Sequence, residues 1–96
     1  MAVQQIDFKQ KEAIYESDGF KPTADNIVVR VVFKQPGLCE LHRSIDGIEP
    51  YVYAFQFTSK FPANKIEERN ISGIKSGQFL KLVFKHSEPE KILLME

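Results

Sequence analysis

The residues best suited to covalent or metal chemistry are the one cysteine, Cys39, and the two histidines, His42 and His86. Cys39 and His42 are three positions apart on a predicted strand, and an odd spacing directs their side chains to opposite faces. They are therefore not expected to form a nucleophile–base pair, and the three residues lack the paired spacing of a zinc site. We expect a small buried cysteine, two surface histidines and no bound metal.

Carboxylates occur in pairs at Glu67–Glu68 and at Glu88 and Glu90. Acid–base catalysis needs two carboxyl groups held across a cleft in unequal environments, whereas paired surface glutamates are usually solvated charge. The sequence contains no glycine-rich phosphate-binding loop, because Gly73 and Gly77 lack the lysine and the serine or threonine that such a loop requires. We therefore expect a protein that is not an enzyme and that has no cofactor.

The distribution of basic residues indicates a possible anion-binding face. Three apolar stretches, 27–34, 51–61 and 78–86, carry five lysines or arginines and no acidic residue, although the whole chain has 13 basic and 13 acidic residues. If the aromatic side of the middle stretch is buried, polar residues on the opposite sides face solvent or a partner. The candidate partner-binding residues are Arg30, Lys34, Gln56, Thr58, Lys60, Lys81 and Lys85.

Two cation pairs share one spacing, Arg30 with Lys34 and Lys81 with Lys85, which places each pair on one side of a strand. Like charges on neighbouring strands destabilise a sheet, and the phosphates or carboxylates of a partner would relieve that cost. Two alternatives stay open. The lysines could instead prevent edge-to-edge aggregation, or acids such as Glu40 could reach across the sheet and neutralise them.

Alternating residue types predict a strand in each of the three stretches. In the middle one, the rings of Tyr51, Tyr53, Phe55 and Phe57 fall on one side of an extended chain. We therefore expect these rings to line the core, with Tyr51 or Tyr53 exposed at the end of the strand. The outer side then also carries apolar residues such as Val28, which require a cover. The N-terminal segment, a second copy of the chain or another partner could supply it.

Turn residues divide the rest of the chain into shorter elements. Pro36-Gly37 and Asp46-Gly47 enclose a predicted return strand, and a second return strand is predicted at 92–95. A proline followed by helix-forming residues predicts a short helix over 62–70, with a continuing hairpin as the rival interpretation. The segment 4–16 fits either a strand or a helix.

Length and composition favour a single β-rich domain over residues 1–96, since 43% of the residues are hydrophobic and a second core would be too small. We expect a small antiparallel barrel or sandwich of five to six strands with one short helix. The element order also fits an OB-like barrel, the Greek-key barrel of oligonucleotide-binding domains. Without a recognisable signal peptide, membrane-spanning stretch or second cysteine, a cytoplasmic protein that binds no membrane is expected.

Two functions are compatible with these features. The first is a non-catalytic protein-interaction module that binds another protein, or a second copy of itself, through a mixed apolar and basic sheet surface. The second is a small single-stranded nucleic-acid-binding protein that uses the same cations with nearby rings. The sequence pI, near 6.7, favours the first, because nucleic-acid-binding domains usually carry an excess of positive charge.

Overall fold

The computed structural model of the chain describes residues 3–44, 46–48, 50–57, 61–72, 78–85 and 88–96. These residues form nine β-strands, and they include no helix long and apolar enough to cross a membrane. The strands are β1 (Val3–Gln5), β2 (Phe8–Lys11), β3 (Ile14–Ser17), β4 (Ile27–Phe33), β5 (Leu38–Ser44), β6 (Val52–Gln56), β7 (Ile66–Ile71), β8 (Phe79–Lys85) and β9 (Pro89–Met95).

The strands form two antiparallel sheets. One sheet has four strands in the order β1-β9-β4-β7, and the other has five in the order β2-β3-β8-β5-β6. Among the described strands, each sheet ends in two free edges, so the sheets do not close on themselves. The mainly β prediction and its sandwich form are therefore confirmed, whereas the closed OB-like barrel is wrong.

The core lies between the inward faces of the two sheets. On β4, the alternate residues Ile27, Val29, Val31 and Phe33 are each at most 2% exposed, because side chains of a strand point alternately to its two faces. Alternate residues of β8 face them from the other sheet and belong to the same buried cluster. The Phe33 ring packs edge to face against both Phe61 and Phe84, with ring centres 5.6 Å apart in each pair. Such ring contacts stabilise a core beyond the area that they bury.

The helix predicted over 62–70 is wrong, because this segment contains a turn and then β7. Asn64 has a φ of 57°, a left-handed conformation that a helix does not contain, and its N–H donates a hydrogen bond to the carbonyl of Phe33 at 2.7 Å. From Ile66 onward the chain pairs with β4 in antiparallel register. Pairing with a distant strand therefore overrides the local preference for a helix.

The N-terminal segment 4–16, for which the sequence left strand and helix open, is extended and contributes to β1, β2 and β3. Ile6, between β1 and β2, is 5% exposed and belongs to the core, while Phe8 and Tyr15 pack against it. These three strands and β7 explain why the described residues contain more strands than the five or six predicted. The apolar residues of this segment help to complete the core.

We expect Phe33→Ala to lower the free energy of unfolding by about 3–5 kcal/mol, because removing a ring from a fully buried site leaves a cavity. Urea unfolding followed by circular dichroism measures the change. Val3→Ala, at a residue that is 59% exposed on β1, serves as the control and should shift the free energy by less than about 1 kcal/mol. Equal losses in the two variants would contradict the central position of Phe33.

Candidate functional site

The structure divides the predicted partner-binding residues between the two sheets. Arg30 lies on β4 of the four-stranded sheet, and Lys34 follows the end of that strand. Lys81 and Lys85 lie on β8 of the five-stranded sheet, at positions that alternate with its core residues. Since each sheet turns its core residues toward the other, Arg30 and the two lysines lie on opposite outer faces of the sandwich. The candidate cations therefore do not form one continuous face.

The remaining candidates lie near β6. Gln56 is exposed at the end of β6, on the five-stranded sheet, where it lies opposite Glu40. Thr58 and Lys60 lie outside the described residues.

Lys81 and Lys85 have counter-charges within their own sheet. They lie two positions on either side of Val83, and the residues opposite Val83 on the neighbouring strands are Glu16 and Glu40. Lys81 Nζ is 3.5 Å from Glu16 Oε2, and Lys85 Nζ is 2.9 Å from Glu40 Oε2. Of the two alternatives left open by the sequence, the structure shows the second, because Glu40 neutralises Lys85.

Glu40 has a second contact within this face. His42 Nε2 lies 3.0 Å from Glu40 Oε1. Burial raises the pKa of Glu40, but its hydrogen bonds to His42 and Lys85 and the charges of these residues outweigh that effect. The pKa of Glu40 therefore lies below its ordinary value of 4.5.

Tyr51 covers Lys81 on the outer side of the sheet. Lys81 is only 7% exposed, and its Nζ lies 4.5 Å from the centre of the Tyr51 ring, a distance typical of a cation–π contact. The Tyr51 hydroxyl approaches Gly19 so closely that a Cβ atom there would collide with it. Lys81 is therefore a buried cation of the structure, and little of it is accessible to a partner.

Arg30 is also paired. It lies opposite Glu68 on β7, and its Nε lies 3.0 Å from Glu68 Oε1. By contrast, Lys34 is exposed and has no ion pair with any other described residue. Of the described candidate cations, Lys34 is thus the one without a counter-charge in the structure.

The aromatic strand does not present the single buried face predicted for it. On β6, Phe55 lies opposite Leu41, but Tyr53 lies opposite the very next residue of β5, so Ala54 is the extra residue of a bulge. A bulge shifts the alternation of side chains by one position. Phe57 is buried as predicted, whereas Tyr53 and Phe55 are 53% and 39% exposed. The expected exposure at the end of the strand is found for Tyr53. The predicted core position is wrong for Phe55 and for Tyr51, whose ring lies over Lys81 on the outer side.

An exposed apolar surface follows from this arrangement. Ile48, Val52, Tyr53 and Phe55 are between 39% and 67% exposed, and three of them belong to β6. Among the described strands, β6 pairs only with β5, so it is a free edge of the five-stranded sheet. We call these four residues the edge surface. Residues 50–57 contain no charged side chain, so β6 is uncharged along its whole length.

The other sheet edges carry features that discourage strand pairing. β1 has only three residues, β2 contains Lys9 and Lys11, and β7 contains the sequence Glu67–Arg69 with three consecutive charges. Short edges and charged side chains both oppose the addition of another strand. On β6, the bulge at Ala54 is the one such device that the described residues provide.

Two cavities adjoin the edge surface and share the lining residues Arg43 and Gln78. The smaller, of about 250 Å³, opens between the ends of β6 and β7, and we call it the edge groove. It is lined by Leu41, Arg43, Tyr53, Ala54, Phe55, Ile71, Ser72, Gln78 and Leu80. The larger, of about 550 Å³, is lined by Arg43, Ser44, Asp46, Ile48, Pro50, Val52 and Gln78.

Asp46, in the larger cavity, is engaged in its own loop. Its Oδ1 accepts hydrogen bonds from the Ser44 hydroxyl and from the Ile48 N–H, each at 3.0 Å. These hydrogen bonds lower the pKa of Asp46 from its ordinary value of 3.8. The carboxylate therefore links Ser44, at the end of β5, to the backbone of Ile48.

The residues considered for catalysis do not converge. Cys39 is fully buried, and burial raises the pKa of its thiol far above the ordinary value, so the reactive thiolate is suppressed. His42 lies on the outer face, opposite in direction to Cys39, as the spacing predicted, and it is half-buried. His86 lies outside the described residues. Among the described residues, no three His, Cys, Asp or Glu side chains are placed to hold a metal ion.

Comparison of the chain with protein-family models, with curated proteins and with solved structures gives no match.

We expect Glu40→Gln to destabilise the protein in a pH-dependent way. Because folding lowers the pKa of Glu40 below 4.5, its carboxylate stabilises the folded state above that pH, and the contribution is lost as the pH falls through the lowered value. The stability difference between wild type and variant should therefore be largest near neutral pH and shrink below pH 4.5. Urea unfolding at several pH values measures it.

The matched control is Glu88→Gln, at an exposed glutamate that has no ion pair with the other described residues. Its effect should stay small at every pH. A difference between wild type and Glu40→Gln that does not change with pH would show that the carboxylate charge of Glu40 is not used in folding.

Proposed function

We propose that this chain is a non-catalytic protein-interaction module that binds a short extended segment of another protein along β6. The observation that carries the proposal is the edge surface, an uncharged strand edge that no other described strand covers, with exposed Val52, Tyr53 and Phe55. A partner segment that adds to a sheet as a new strand uses the backbone and the side chains of such an edge. Unpaired backbone groups supply hydrogen bonds, and neighbouring side chains supply specificity.

The backbone of β6 favours this mode of binding. An edge strand directs alternate N–H and C=O groups away from its sheet, where they pair with water or with an added strand. The exposed aromatic rings beside them add apolar area, and aromatic residues are enriched at the centres of protein interfaces. A bound segment would thus gain backbone hydrogen bonds and ring contacts together.

The bulge at Ala54 favours a short segment of a different protein over a second copy of the chain. If two β6 strands paired antiparallel about a two-fold axis at Ala54, the two bulges would meet at that axis, where regular pairing is disrupted. A short heterologous segment needs regular pairing on only one side of the bulge. We therefore commit to such a segment as the occupant.

Protein interaction, the first function considered from the sequence, is kept, but the proposed contact lies on β6 and not on the basic residues. Gln56 lies on β6, beside the proposed contact. Arg30, Lys81 and Lys85 already pair with glutamates, so an anionic partner would have to compete with Glu68, Glu16 and Glu40. For that reason no observation favours single-stranded nucleic acid as a second candidate partner.

A phage-displayed library of random dodecapeptides, selected on the immobilised chain of residues 1–96, tests the proposal. Selected peptides are then synthesised with a fluorescent label and titrated against the protein by fluorescence polarisation. We expect recovery of peptides rich in β-branched and aromatic residues, because such residues favour an extended strand. Backbone amide shifts of β6 in NMR spectra should change on peptide addition.

The variant Val52→Lys tests whether β6 is the binding edge. Val52 is 63% exposed, so a lysine there should leave the fold intact, with a stability change within about 1 kcal/mol. It places a charge on the edge and should weaken peptide binding by about tenfold or more. Ile66→Lys is the matched control, since Ile66 is also β-branched, 64% exposed and on the edge strand β7.

Peptide binding that is equally strong in Val52→Lys and wild type would overturn the proposal. Sedimentation velocity provides an independent measurement. A wild-type dimer that Val52→Lys converts to a monomer would identify a second copy of the chain as the occupant, against the heterologous segment proposed.

A further inference from the structure

The edge groove contains one charged side chain among its described lining residues, the guanidinium of Arg43. Arg43 follows Cys39 and Leu41 in the alternation of β5, so it lies on the side of the strand that faces the other sheet. There it lies opposite Leu80 on β8 and Val52 on β6, at the end of the sandwich. The rest of the groove lining is apolar or uncharged.

No carboxylate of the described residues pairs with Arg43, and none of their side chains forms a hydrogen bond with it. The other two arginines differ, since Arg30 is paired with Glu68, and Arg69 with Glu67 at 2.9 Å. The neighbouring carboxylate of Asp46 accepts hydrogen bonds from its own loop. Arg43 is thus an exposed arginine at a groove of mixed polar and apolar lining, with no anionic partner in the described part of the chain.

Strand addition at β6 would bring a side chain of the bound segment to this groove. Successive side chains of an extended segment point to the two faces of the sheet, so alternate ones enter the space between β6 and β7. That space is the edge groove, where Phe55 and Arg43 meet. A carboxylate entering it reaches a guanidinium whose planar fork matches carboxylate geometry.

We infer that Arg43 selects the partner segment, which carries an aspartate or glutamate whose carboxylate binds the guanidinium in the edge groove, with apolar residues flanking it along the edge surface. This inference rests on the proposed strand addition at β6. It adds the chemical class of the segment, an acidic residue within an apolar extended peptide. Hydrogen bonds between charged groups in partly apolar surroundings are among the stronger polar contacts in interfaces.

The selected peptides supply the test. We expect an acidic residue at a fixed position in the enriched sequences. Replacing that residue by the corresponding amide in a synthetic peptide should weaken binding to wild type about 10- to 100-fold, the range expected for a charge-assisted hydrogen bond. Arg43→Gln should cause a loss of the same size. When both changes are combined, little further loss should occur, because each removes the same contact.

Lys34→Gln is the control for net charge, because it removes one positive charge from an exposed residue without a described ion pair. Lys34 follows Phe33, whose ring packs against Phe84 on β8. Arg43 lies opposite Leu80, four residues from Phe84 on the same strand. At about 3.3 Å per residue this separation is about 13 Å, beyond the Debye length in moderate salt. Binding by Lys34→Gln should stay within about twofold of wild type.

Two results distinguish failure of this inference from failure of the proposed function. In the first, the peptides lose binding to Val52→Lys, bind Arg43→Gln as tightly as wild type and carry no preferred acidic residue. This result would overturn the role of Arg43 and leave strand addition standing. Peptides insensitive to Val52→Lys would overturn both. The peptide amide substitution is measured on the unaltered protein, so an unfolded Arg43→Gln variant does not affect that readout.

Discussion

The contact between the inward faces of β4 and β8 holds the two sheets together, and the remaining features depend on it. Phe33 on one strand and Phe84 on the other meet edge to face in a region from which water is excluded. Because side chains alternate along each strand, fixing these faces inward also fixes which residues face outward. The same contact therefore determines that Arg30 and Lys81 lie on opposite sides of the molecule.

The five-stranded sheet shows how a cation-bearing strand is accommodated without a ligand. Its central strand β8 carries lysines on the outer face, and each neighbouring strand provides a glutamate beside Val83. Cross-strand pairs of opposite charge stabilise a sheet where like charges would destabilise it. Tyr51 then covers part of this face, so the charges serve the fold. The uncharged edge at β6 is different, since it has exposed rings and lies close to Arg43, which pairs with no carboxylate of the described residues.

Short-range patterns were sufficient to predict β4, β5 and β8, because each combines alternation with β-branched residues or flanking turns. Prediction failed where one residue changed the geometry. Asn64 adopts a left-handed turn that precedes β7, and Ala54 forms a bulge that changes the alternation on β6. The pairing of Lys81 with Glu16 could not be derived either, since it depends on which distant strands become neighbours. Arg43 was missed because its position at the edge groove, away from the carboxylates of the described residues, is visible only after folding.

Cys39 is the only thiol of the chain, and it lies on β5 opposite Phe84 in the centre of the core. An alkylating reagent can reach it only when β5 and β8 separate from the opposite sheet. The rate of thiol modification under native conditions therefore reports how often the sandwich opens. Cys39 therefore allows opening of the core to be followed chemically, with no label added to the protein.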